Sequence, residues 1–206
     1  MSFSFGLIGY PIQHSLSPWI HGQFLKRTNA RGTYDIYEIH PEADFAAEMD
    51  KLKQQQLDGF NITAPYKEKI IPYLDEMDAY AEKIGAVNTV LCKDGQWIGY
   101  NTDGIGYVRA LESKYPYITA TKDKSILILG AGGATKGIYQ ALIENDYDNI
   151  TIANRTIEKA QTLTQHHATS KAITREEAEN NSIEYDIIIN TSSVGMKPNI
   201  HEVIIS

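Results

Sequence analysis

Short apolar runs alternate with segments whose apolar positions recur every three or four residues, almost from the start of the chain. Phe3 to Ile8 reads as a buried strand ending at Gly9. A loop follows from Tyr10 to Leu16, and Ser17-Pro18 offers an N-cap with proline at the first helical position. Thr33 to Ile39 forms a second strand, and Pro41 opens a helix with Phe45, Met49 and Leu52 on one face. Phe60 to Thr63 is a third strand, stopped by Pro65. Two short helical stretches surround Pro72 and reach Ile84, before Gly85. Val87 to Cys92 and Gln96 to Tyr100 flank Asp94-Gly95, a hairpin turn that requires positive φ. Ile105 to Leu111 reads as a helix, and the polar stretch Thr119 to Lys124 marks a boundary between domains 1–120 and 121–206.

Beyond that boundary the alternation begins again. Ile126 to Leu129 is a buried strand, Thr135 to Ile143 a helix, and Ile150 to Ala153 another strand. Thr156 caps a helix running to about Leu163, and Thr174 to Glu177 has capping-box spacing. Asp186 to Asn190 is a further buried strand, followed by the polar loop Thr191 to Pro198. Strands joined by helical crossovers imply an α/β protein whose second domain is a doubly wound, Rossmann-like parallel sheet.

Composition narrows the function classes. With 42% apolar and 22% charged residues, the 206-residue chain can bury a sizeable core. A formal charge of −7 argues against a general grip on nucleic acid or anionic lipid, both of which need clustered positive charge. Cys92 is the only cysteine, which excludes an internal disulfide and Cys-cluster metal sites. The opening residues lack the pattern of a signal peptide, and no segment has the roughly 18 apolar residues of a membrane span. A cytoplasmic protein without a metal, and without nucleic-acid or membrane partners, is expected.

Two sets of residues carry candidate chemistry. Gly130-Ala-Gly-Gly-Ala134, comprising Gly130, Ala131, Gly132, Gly133 and Ala134, lies between a strand and a helix. There glycines let the backbone approach a pyrophosphate, and the helix start offers free N–H groups. Thr135 stands where the third small residue of the fingerprint belongs. The next strand ends in Asn154-Arg155-Thr156 rather than in the carboxylate that binds an NAD ribose, and Lys159 follows one turn later. A guanidinium can pair with a 2′-phosphate and stack on adenine, so NADP is favoured over NAD. The second set falls at strand ends in the first half: Ser15 and Ser17, Asn61 and Thr63 with Lys67, Asn88-Thr89, and Asn101-Thr102-Asp103. Such amides and hydroxyls suit a small polyhydroxy acid, and a Lys–Asp pair can move an alcohol proton during hydride transfer.

The segments Gly9-Tyr-Pro-Ile-Gln-His-Ser-Leu-Ser-Pro18, Gly59-Phe-Asn-Ile-Thr-Ala-Pro-Tyr-Lys67, Gly85-Ala-Val-Asn-Thr89 and Gly99-Tyr-Asn-Thr-Asp-Gly104 resemble the ordered signatures of shikimate dehydrogenases. Gly130 to Ala134, Asn154 to Thr156 and Asn190-Thr-Ser-Ser-Val-Gly-Met196 continue the resemblance, which spans essentially the whole chain. It implies an NADP-dependent oxidoreductase that interconverts 3-dehydroshikimate and shikimate in aromatic amino-acid biosynthesis, as a monomer or homodimer. Ser15 and Ser17 would then hold the substrate carboxylate, and Asn61, Thr63 and Asn88 would contact the ring hydroxyls or the carboxylate end. Lys67 and Asp103 would be the catalytic pair, with Lys67 losing its charge or relaying through Asp103 to act as base. Gly130 to Ala134 would hold the pyrophosphate, Asn154 to Thr156 with Lys159 the 2′-phosphate, and Met196 would lie towards the nicotinamide. Two departures stand out. Ala64 and Tyr66 interrupt the lysine motif, with Tyr66 expected to wall the substrate pocket. Family members also run longer, so a C-terminal segment bearing a substrate-contacting glutamine is expected to be missing. The alternatives are a quinate/shikimate dehydrogenase with broader substrate or NAD use, a non-catalytic shikimate-binding module, and an inactive fragment.

Overall fold

The computed structural model describes residues 2–195 and 200–205. The chain packs as two compact units, residues 1–102 and 103–206. The first contains β1 (Phe3–Gly9), α1 (Ser17–Arg27), β2 (Gly32–Glu38), α2 (Phe45–Gln54), β3 (Gly59–Ile62), β4 (Glu76–Met77), α3 (Ala79–Ile84), β5 (Thr89–Lys93) and β6 (Gln96–Tyr100). Its strands form one mixed sheet in the order β2-β1-β3-β5-β6-β4. β1 runs parallel to β2 and β3, whereas β5 is antiparallel to β3 and β6. This arrangement sets the end of β3 beside the start of β5, with Asn61 opposite Thr89.

Strand alternation separates two apolar faces. On one, α2 lays Phe45, Met49 and Leu52 over Ile8, Phe60, Ile62, Val90 and Trp97. On the other, Leu7, Ile12 and Tyr34 form a smaller cluster with Phe5 and Ile36. α2 begins at Phe45 rather than at Pro41, because the Asp44 carboxylate accepts the N–H groups of Ala46 and Ala47. The hairpin stands as expected, with Asp94 at φ 53° and Gly95 at φ 80°. Tyr66 is a core residue and not a pocket wall. It stacks on Phe45 at 4.9 Å, and its hydroxyl donates to the Ile39 carbonyl at 2.5 Å.

The second unit contains α4 (Asp103–Lys114), β7 (Ile126–Leu129), α5 (Gly133–Glu144), β8 (Ile150–Asn154), α6 (Ile157–Thr164), β9 (Lys171–Thr174), α7 (Arg175–Asn180) and β10 (Ile187–Asn190). Its sheet is wholly parallel, in the order β10-β7-β8-β9. The chain moves outward from β7 through β8 to β9, then returns to the other side of β7. That reversal opens a crevice at the carboxyl end of β7, the usual ligand position in such sheets. The four apolar residues of β7 are fully buried, as expected of a central parallel strand. The polar stretch 119–124 lies inside this unit rather than between units, because α4 packs against α5. Among the described residues, no helix is long and apolar enough to cross a membrane.

Candidate active site

In the first unit, the strand ends carry a continuous polar network. The Ser15 hydroxyl donates to Ser17 Oγ at 3.1 Å and accepts the Ser17 backbone N–H at 3.2 Å. Ser17 therefore does not cap α1, whose N-cap is Leu16 with no side-chain bond. Its hydroxyl instead contacts the phenol of Tyr34 on β2. Tyr34 donates to Asn61 Oδ1 at 2.8 Å, and Asn61 Nδ2 donates to Thr89 Oγ1 at 3.1 Å and to the Asn88 carbonyl at 3.3 Å. Asn88 Oδ1 accepts from Thr89 Oγ1 at 3.0 Å and from the Thr102 N–H at 2.9 Å. Five chain segments are thus tied together through side chains. Burial pushes the Tyr34 phenol up to about 12, and the ring stacks on His21 at 4.1 Å. Burial also lowers the His21 imidazole from its ordinary value.

Tyr34 joins this network although no sequence motif singles it out, and Thr89 and Thr102 join it from the strand-end clusters where the sequence places them. Tyr34 sits at an ordinary strand position with nothing local to mark it; only the fold brings it to Asn61. A cavity of about 270 Å³ is lined by Tyr34, Asn61, Thr89 and Asp58 together with the apolar Phe5, Phe60 and Leu91. Of the substrate residues expected from sequence, Asn61 alone lines that cavity among the described residues.

The loop before α1 is pinned by Glu38, whose carboxylate accepts the Ile12 N–H at 2.8 Å and Gln13 Nε2 at 3.2 Å. These bonds hold the Glu38 carboxyl below its ordinary range. Thr63 continues β3 alongside β1, donating its N–H to the Ile8 carbonyl at 2.9 Å. Lys67 lies four residues further on, half-buried, with its carbonyl accepting the Val87 N–H at 2.8 Å. Asp103 is the first residue of α4 and directly follows Thr102 in the chain.

In the second unit, the glycine turn leads from β7 into α5, which begins at Gly133. Gly130 has φ 118°, and a Cβ there would meet Thr191 Oγ1 at 2.7 Å, so only glycine fits. Thr135 explains the incomplete fingerprint. It is fully buried, accepts the Gly132 N–H at 3.1 Å and shares a hydrogen bond with Thr191 Oγ1 at 2.8 Å. Its hydroxyl thereby braces the turn against the loop after β10. Asn154 Nδ2 donates to the Thr156 carbonyl at 2.8 Å, leaving Arg155 exposed at the end of β8. Ala131, Gly132 and Ala134 complete the turn, and Thr156 is the N-cap residue of α6 without a side-chain cap. Lys159 is exposed on the first turn of that helix. Met196 lies outside the described residues.

A cavity of about 220 Å³ joins this turn to the end of β8, with Gly130, Asn154, Arg155, Arg175, Ser192 and Ile204 among its walls. Two guanidinium-bearing residues, hydroxyls and a backbone pressed close at Gly130 suit a polyanionic nucleotide. The residues present therefore fit a phosphorylated dinucleotide.

Fold and cradle together define an α/β dinucleotide-binding protein with a separate unit built for a small polar ligand. Residues 7–90 match the shikimate dehydrogenase substrate binding domain, and residues 113–202 match the shikimate / quinate 5-dehydrogenase family. A relative from Oceanobacillus iheyensis, named shikimate dehydrogenase (NADP(+)), is 52% identical over 196 residues, covering 95% of this chain and 71% of its own. The shikimate dehydrogenase structure from Aquifex aeolicus superposes with a TM-score of 0.83 at 38% identity, over 96% of this chain and 71% of that one. A shikimate 5-dehydrogenase from Thermus thermophilus, solved with NADP(H) and shikimate, gives a TM-score of 0.85 at 29% identity, over 99% and 73%. The chain belongs to the shikimate dehydrogenase family.

Proposed function

We propose that the protein interconverts shikimate and 3-dehydroshikimate by hydride transfer at ring C3, with NADP as the redox partner, in the biosynthesis of aromatic amino acids. The observation that carries this reading is the second unit's cradle: a glycine turn at a helix start, with arginine where an NAD site has a carboxylate. The first unit supports it with hydroxyls and amides fixed at strand ends.

In the oxidative direction the substrate loses a hydride from C3 and a proton from the attached hydroxyl. NADP+ held at the glycine turn would supply the hydride acceptor. Lys67 and Asp103 take and pass on the proton, worth about two to four orders of magnitude in rate. Ser15 and Ser17 bind the substrate carboxylate, and Asn61, Thr63 and Asn88 contact the ring hydroxyls or the carboxylate end. Bonds from Tyr34 and to Thr89 and Asn88 hold Asn61 in register. Gly130 to Ala134 take the pyrophosphate, with Met196 nearer the nicotinamide, and Asn154, Arg155, Thr156 and Lys159 take the 2′-phosphate. The protein acts in the cytoplasm as a monomer or homodimer.

Steady-state assays with shikimate or quinate, each with NADP+ or NAD+, test the reading. Highest kcat/KM is expected for shikimate with NADP+. Equal use of NAD+, with Arg155→Ala affecting neither cofactor, would refute the cofactor assignment.

A further inference from the structure

The cradle holds a second arginine that no sequence motif marks. β8 and β9 are paired in parallel with Asn154 opposite Thr174, so Arg155 and Arg175 are the next residues along two adjacent strand ends. Both line the same 220 Å³ cavity as Gly130 and Asn154. Arg175 is fixed there by the chain itself: its Nε donates to the Ile204 carbonyl at 2.7 Å and its Nη2 to the Val203 carbonyl at 3.4 Å. Ile204 and Ile205 pack against the cluster of Leu127, Leu129, Ala153 and Ala178, which anchors those carbonyls. The neighbouring Glu177 carboxylate is turned back onto Thr174, accepting its N–H at 2.7 Å and its hydroxyl at 2.9 Å. A guanidinium has five N–H donors in a planar fork, and the two carbonyls engage only two of them.

We infer that Arg175 is a second determinant of NADP specificity, its guanidinium held by the 203–204 carbonyls so that its remaining donors serve the 2′-phosphate alongside Arg155. The inference rests on the cofactor reading above and deepens it. A dianionic phosphate beside two guanidinium groups gains charge-assisted hydrogen bonds that a 2′-hydroxyl does not. Discrimination between the two cofactors is then shared between β8 and β9.

Calorimetric titration with adenosine 2′,5′-bisphosphate and with AMP separates the possibilities. The wild-type protein is expected to prefer the bisphosphate. Arg175→Ala should weaken the bisphosphate by roughly ten- to hundredfold while leaving AMP within about twofold, and Arg175→Lys should retain part of the preference. A thermal unfolding curve for each variant establishes that it is folded. If Arg155→Ala loses the bisphosphate but both Arg175 variants bind it like wild type, the inference on Arg175 fails and the cofactor reading stands. An equal loss for both nucleotides in Arg175→Ala makes the residue merely structural and also overturns the inference. If the wild-type protein shows no preference for the bisphosphate, both fall.

Discussion

Replacing Tyr34 with phenylalanine removes one oxygen from the centre of the first unit's polar network. The phenol donates to Asn61 Oδ1 at 2.8 Å and lies beside the Ser17 hydroxyl. Phenylalanine keeps the ring that stacks on His21 and fills the cluster with Leu7 and Ile12, so packing should survive. The variant loses the neutral hydrogen bond to Asn61, worth about 0.5–1.5 kcal/mol net, together with the weaker contact to Ser17. Both partners are only half-buried, so water can replace part of the loss. A destabilisation of about 1–2 kcal/mol is expected. The functional effect is smaller, because Ser17 and Asn61 stay in place but lose their shared orientation. A loss of about 0.5–1.4 kcal/mol in ground-state binding raises the KM for shikimate roughly two- to tenfold. The proposed proton-transfer residues Lys67 and Asp103 are untouched by the substitution, so kcat should stay within about twofold. Steady-state kinetics with shikimate varied at saturating NADP+, run beside thermal unfolding, reads both effects. An unchanged KM with a lowered unfolding midpoint would show that Tyr34 only supports the fold, refuting its positioning role.

Gly130→Ala forces a side chain into φ 118° and against Thr191 Oγ1, and it should abolish measurable NADP+ binding in a fluorescence titration while leaving shikimate binding intact. Tyr66→Phe removes the bond to the Ile39 carbonyl inside the core; it should lower stability by about 1–3 kcal/mol, seen in urea unfolding, with kcat and KM unchanged. Glu38 accepts the Ile12 N–H more strongly as a carboxylate than as the neutral acid, and its folded pKa lies below the ordinary value of 4.5. Its contribution is therefore full above that value and is lost as the pH falls through the depressed folded pKa. Hydrogen exchange at the Ile12 amide should accelerate over that acidic range, and Glu38→Gln should remove the pH dependence.

Much of the fold was legible because local chemistry and tertiary packing agree. Asp94-Gly95 could form only a tight turn, and the spacing of Phe45, Met49 and Leu52 placed one face of α2 in the core. The Thr174–Glu177 capping box formed as its spacing required. Competing bonds account for the differences. Ser17 looks like a cap because a proline follows it, yet its hydroxyl meets Ser15 and Tyr34 instead. The sequence pattern does not predict β9, an edge strand of four partly exposed residues with no periodicity that distinguishes it from a loop. The candidate cofactor turn was readable because it is contiguous in sequence, and Thr135, its irregular member, is bonded into it. The polar network of the first unit was readable only in pieces. Ser15, Asn61 and Asn88 sit in recognisable segments, whereas Tyr34 and Arg175 owe their positions to strand register across the sheets.

NADP+-coupled oxidation of shikimate through Lys67 is tested most directly by the time course of NADPH absorbance with purified protein, shikimate and NADP+. Steady NADPH formation that requires both compounds is expected, falling by about two to four orders of magnitude in Lys67→Ala. Full activity in that variant, or no NADPH from a wild-type protein shown by titration to bind both compounds, would contradict it.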